Sequence, residues 1–123
     1  MGITEETHIA KNMTFVPATD IKGSKVFTIK DEELGKIREV MIDAERGRIA
    51  YVVLASDCFL GMKCKFFVIP WEALKASRDA YILKVEKGAF EEAEGLDEDV
   101  WALTHDNLVK VYEQYNVHPY WEI

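Results

Sequence analysis

Arg48-Ile49-Ala50-Tyr51-Val52-Val53-Leu54-Ala55, entered through Gly47 and left through Ser56, is the stretch that decides the fold. Beyond Arg48 it is apolar throughout and rich in the β-branched and aromatic types that suit a pleated backbone. A strand with one wet face alternates apolar and polar residues. This one has no polar face, so both sides must be covered. A short closed or half-closed barrel, with a further segment packed on its outside, supplies both covers.

Upstream, Ala44-Glu45-Arg46-Gly47 reads as a tight loop, with glycine where a positive φ is needed. Residues 36–43 then form the partner strand, with Ile37 and Met41 on one face and Val40 and Ile42 on the other. Asp31-Glu32-Glu33-Leu34-Gly35 reads as a polar turn closed by glycine, joining that strand to an earlier one over residues 25–29. Asp20-Ile21-Lys22-Gly23 is turn-like, and residues 1–17 show no period and read as a leader.

Downstream, residues 56–63 read as a loop carrying Phe59 and Leu60 beside Gly61. A strand over residues 64–69 sets Phe66 and Val68 opposite Phe67 and Ile69. Pro70 ends it, because proline offers no ladder donor. Residues 71–74 read as one helical turn, and the indole of Trp71 is suited to plug a barrel end. The last strand covers residues 80–85. Further on, Thr104 is a candidate N-cap with Asp106 in the first turn. Leu108, Val111, Tyr112 and Tyr115 recur at i, i+3, i+4 and i+7, which predicts a helix over about 105–116. The chain thus divides into a leader (1–17), a barrel (18–88) and an acidic, aromatic extension (89–123).

The order and spacing of these residues resemble the PRC-barrel family. The likeness runs through Lys22-Gly23-Ser24-Lys25-Val26, then Gly35-Lys36-Ile37, Val40-Met41-Ile42-Asp43 and Gly47 to Leu54. It continues in Phe59-Leu60-Gly61-Met62, Lys65 to Trp71, and Leu74. The resemblance implies a small, highly curved antiparallel β-barrel with a short C-terminal helical extension, mainly β in class. It also implies a docking or assembly part rather than a catalyst. The family's settings include the cytoplasmic domain of the photosynthetic reaction-centre H subunit and the C-terminal domain of a ribosome maturation factor. Ser56-Asp57-Cys58 stand where relatives often carry glycines, and Glu94 stands where a proline is common. Gly23, Gly35, Asp43, Gly47, Gly61, Pro70 and Trp71 describe a fold and specify no chemistry.

Charge narrows the partners. The chain of 123 residues has a net charge of −7, and most of it lies between Glu86 and Asp99, where Glu91, Glu92, Glu94, Asp97 and Glu98 also stand and Lys87 is the one base. Such a run repels phosphate backbones and anionic lipid, which points away from nucleic acid and from membrane surfaces. There is no apolar run long enough to span a bilayer. Residues 1–14 lack the layout of a signal peptide, so a cytoplasmic protein is expected.

Reactive groups are scattered. His8, His105 and His118 are far apart, and no spacing suits a metal. Cys58 and Cys64 make no disulfide framework, and neither is read as an activated thiol. No nucleophile turn and no phosphate loop is present, so no cofactor is expected. Asp43 reads as a strand-end acid that accepts backbone hydrogen bonds.

Binding surfaces remain. Trp101, Tyr112, Tyr115, Tyr120 and Trp121 crowd the last quarter, where they either cover the chain's own barrel or bury against a second subunit. Phe59 and Leu60 form a second candidate patch. The expectation is a self-associating, non-catalytic protein-binding module, most often a homodimer. The alternatives are an acidic, stress-associated structural protein and a thiol redox protein using Cys58 and Cys64.

Overall fold

The computed structural model describes residues 15–56, 65–84 and 102–122. Within them the chain forms α1 (Ala18–Ile21), β1 (Lys25–Phe27), β2 (Glu33–Asp43), β3 (Arg48–Ser56), β4 (Lys65–Pro70), a 3-10 turn (Trp71–Ala73), β5 (Leu74–Ser77), β6 (Ala80–Leu83) and α2 (His105–Gln114). The strands make one curled half-barrel sheet in the order β4-β3-β2-β1-β6-β5. Every pair is antiparallel except one, since β1 lies parallel to β6. That pair brings the first strand against the last and curls the ribbon round.

β3 is covered on both faces, as its composition requires. Val52 and Leu54 join an inner core with Val26, Leu34, Ile37, Phe67, Ile69, Leu74, Tyr81 and Leu83. Val53 joins an outer cluster with Tyr51, Phe66 and Val68. β4 splits as its alternation predicts, Phe67 and Ile69 inward and Phe66 and Val68 outward. Each fully buried aliphatic side chain contributes about 1.5–3 kcal/mol relative to exposure.

Bulges set which side chain faces which layer. The β2–β3 register pairs Ile37 with Leu54 and Glu39 with Val53, so Arg38 is an extra residue on β2. Val40 therefore joins Ile37 on the inner side, and Met41 goes to the outer cluster. This differs from the expected grouping of Ile37 with Met41, because simple alternation contains no bulge. A second shift pairs Met41 with Tyr51 and Ile42 with Ile49, which leaves Ala50 without a ladder partner on β2. Ala50 and Tyr51, although adjacent, both join the outer cluster.

Two turns are placed otherwise than expected. β1 ends at Phe27, and the buried Thr28 builds the turn: its Oγ1 accepts from Lys30 N at 3.2 Å and Glu32 N at 3.1 Å. Gly35 consequently lies inside β2, opposite Val26, rather than closing the turn. Its φ is +153°, and a Cβ there would run into the backbone carbonyl of Ala55, so β2 and β3 can approach closely only at glycine. Ser56 Oγ donates to Leu34 O across the same approach at 2.8 Å. The helical turn after Pro70 is only Trp71–Ala73, and Leu74 begins a strand absent from the sequence reading. Trp71 packs partly buried against the inner core and meets Tyr81 with ring centroids 5.5 Å apart.

The β2–β3 loop follows expectation. Gly47 has φ +67° and returns its N–H to Asp43 O at 2.8 Å. Gly23 follows α1, and its N–H donates to Ile37 O at 2.7 Å. α2 is capped by Thr104, whose hydroxyl accepts from Asn107 N at 3.2 Å, and ends before Asn116, which has φ +55°. Among the described residues no helix is long and apolar enough to cross a membrane.

Candidate functional site

The outer face of β3 and β4 carries the densest set of directed contacts. Residues 102–122 form a strap over it: an extended entry, then α2, then a turn through Pro119, Tyr120 and Trp121. Leu103, Leu108, Val111 and Tyr120 pack on the apolar cluster of Ala50, Tyr51, Val53, Phe66 and Val68. Val111 also reaches the inner core, where Tyr115 and Val117 pack, so α2 bridges the two layers. β4 is an edge strand of the sheet, and α2 packs against it.

Three hydrogen bonds fix the register of the strap. Leu103 N donates to Tyr51 Oη at 3.2 Å. Tyr112 Oη donates to Ala50 O at 2.6 Å. This carbonyl belongs to the bulged, buried residue that the β2–β3 ladder skips, and a buried carbonyl without a donor is costly. Tyr120 Oη donates to Asp43 Oδ2, also at 2.6 Å.

Asp43 joins the strap to the β2–β3 loop. Its Oδ1 accepts from Glu45 N and Arg46 N, each at 3.1 Å, and Arg46 Nη1 donates to Oδ2 at 3.3 Å. The Tyr120 hydroxyl first, and the Arg46 backbone N–H second, hold the carboxyl below its usual range. Burial, with the Asp43 hydrogen bond second, pushes the Tyr120 phenol up to about 12. The Arg48 guanidinium lies 3.9 Å from the Tyr120 ring centroid and donates to Glu72 Oε1 at 2.7 Å, tying the base of the hairpin to the turn after β4. Trp121 stands edge-on to Tyr112 at 4.9 Å and to Tyr120 at 5.1 Å, with His105 at 5.8 Å.

The expected site residues fall into distinct places. Tyr112 and Tyr115 are buried in this chain's own core, and Tyr120 and Trp121 are half-buried on its outer face. Tyr112, Tyr115 and Tyr120 thus pack against this chain's own barrel. Burial pushes both buried phenols up, Tyr115 to about 12. The Tyr115 hydroxyl is buried without a hydrogen-bond partner among the described residues. Phe59, Leu60, Gly61, Trp101, Cys58, Cys64, His8 and the acidic run 86–99 lie outside the described residues. Among the described residues no group of three or more His, Cys, Asp or Glu is placed to hold a metal ion.

The sequence reading reached Asp43 through its local backbone hydrogen bonds and named Tyr120 as a surface aromatic, but gave no sign that the two pair across 77 positions. It also passed over Arg48, Glu72 and Thr28. Only a knowledge of which loop faces the tail identifies Arg48 and Glu72. The short side-chain-to-backbone bonds of Thr28 follow from a threonine just ahead of a turn.

A curled half-barrel of six strands, closed on the outside by a helical strap, defines a small β-barrel module. The PRC-barrel domain model matches residues 13–90, and the chain belongs to the PRC-barrel domain family. Domains of this family are generally non-catalytic. Comparison with curated proteins finds no match.

Proposed function

We propose that the chain is a non-catalytic protein-binding and assembly module that self-associates inside the cell. The observation that carries this is the outer face of β3 and β4, which holds a polypeptide segment. It does so through an apolar surface and three directed hydrogen bonds, from Leu103 N, Tyr112 and Tyr120. That is the chemistry of peptide recognition: apolar contact for affinity, fixed polar partners for register. The Asp43 carboxylate has donors on both oxygens and is held ionised, which suits a fixed acceptor rather than a proton donor. Ile42, 62% exposed beside Asp43, adds apolar surface at the end of β2.

Light scattering on the full chain, over a wide concentration series, tests self-association. The expected result is a species of twice the 14.1 kDa chain mass that grows with concentration. A single chain mass at every concentration overturns it.

A further inference from the structure

We propose that the outer face of β1, β6 and β5 docks an acidic polypeptide segment that also carries apolar side chains. This goes beyond self-association and uses a different part of the sheet from the strap's seat. The ladder registers decide which side chains stand there. Val26 and Tyr81 are paired, and both lie in the inner core. Their neighbours along each strand therefore face outward, and residues paired across a ladder share a face. Phe27 pairs with Ile82, and Ile82 with Lys75. Lys25 pairs with Lys36 on β2. Phe27 and Ile82 are half-buried and join neither of the two apolar clusters, so they form a separate apolar floor.

Charge says what this floor receives. Lys25 and Lys36 stand directly opposite each other, an arrangement that costs stability because like charges repel. Glu33 lies 3.6 Å from the Lys25 ammonium and offsets one of the two. Lys36 and Lys75 are exposed and make no ion pair among the described residues. The lysines of this face thus outnumber its acid, in a chain whose net charge is −7. An anionic partner relieves the Lys25–Lys36 repulsion. The lysine stems widen the apolar floor while their ammonium groups stay in water to meet that partner. A polyphosphate uses the charge alone. Phe27 and Ile82 add affinity only for a ligand that brings apolar side chains of its own. An acidic segment with interspersed apolar residues uses both.

The experiment titrates the isotope-labelled full chain with three probes and follows the backbone amides by NMR. The probes are a short peptide in which glutamate alternates with leucine and phenylalanine, a polyglutamate of the same length, and a single-stranded oligothymidylate. The expected result is that the alternating peptide shifts Phe27, Ile82, Lys36 and Lys75 and binds more tightly than either other probe, with an affinity that falls as salt is added. The double variant Lys36→Glu, Lys75→Glu should bind the peptide roughly tenfold more weakly at an unchanged melting temperature, since both side chains are exposed. Four outcomes overturn the proposal. They are an unperturbed face, equal binding of polyglutamate, tighter binding of oligothymidylate, and a folded double variant that binds as before. None of these readings depends on whether the chain is a monomer or a dimer.

Discussion

The two faces of β3 are built by different means. Inward, Val52 and Leu54 sit in an apolar cluster and are held by packing. Outward, Ala50, Tyr51 and Val53 meet a strap whose seat is fixed by hydrogen bonds to Tyr51, Ala50 and Asp43. Packing is strong but indifferent to partner, so the inner face secures the fold. Directed bonds contribute less each but demand one register, so the outer face recognises one segment. Stability and recognition thus sit on opposite sides of a single strand.

The largest break in that comparison comes from the inner face. Leu54→Ala, at a fully buried site, should cost about 2–5 kcal/mol through lost burial and the cavity left behind. The check is a fall in the urea midpoint of the whole domain with little change in slope.

On the outer face, Tyr112→Phe keeps the ring but leaves the Ala50 carbonyl buried without its donor, at a cost of about 1–3 kcal/mol. The loss should register more in the helical signal of α2 than in the sheet, which denaturation followed by both signals would show.

The Asp43–Tyr120 bond gives the strap a pH dependence. The carboxyl of Asp43 is depressed in the folded chain, so its contribution is complete above the ordinary carboxylate value. It disappears as pH falls through the depressed folded value. Tyr120 is raised to about 12, so its contribution is complete below the ordinary phenol value and disappears as pH rises toward 12. The indole N–H resonance of Trp121, packed on Tyr112 and Tyr120, should report both edges. Tyr120→Phe should flatten the acid edge, because the hydroxyl is the chief cause of the depression. An acid edge of unchanged size in that variant would show that the bond does not hold the strap.

The smallest effect is expected where the two layers meet. Tyr115 reaches the inner core with a hydroxyl that has no partner among the described residues, so Tyr115→Phe removes a buried polar group that they leave unmet. It should leave stability unchanged or raise it by up to about 1 kcal/mol. Thermal unfolding of the two proteins side by side decides the sign.

The same division explains what the sequence could show. β3 was legible because an apolar run on both faces has few solutions, and the β2–β3 loop because Asp43 and Gly47 carry local turn chemistry. The face of α2 was legible from its period. β5 was not: Leu74 is its one buried residue, and Lys75, Ala76 and Ser77 become a strand only by pairing with β6. The parallel β1–β6 pair is equally silent, since it joins distant segments. The bulge at Arg38 displaced the reading of Val40 and Met41 relative to Ile37, because a shift of one residue moves side chains to the other face. In the site, Asp43 was half visible: its turn bonds are local, while its bond to Tyr120 depends on where the tail lies.

Native-state hydrogen exchange on the intact chain tests most directly whether the strap is a recognised segment rather than a part of the core. The amides of α2 should exchange through an opening that costs less free energy and exposes less surface than the one that frees Val52 and Leu54. If α2 and β3 exchange only together, by unfolding of the whole domain, the strap is inseparable from the barrel and the division between the two faces of β3 is wrong.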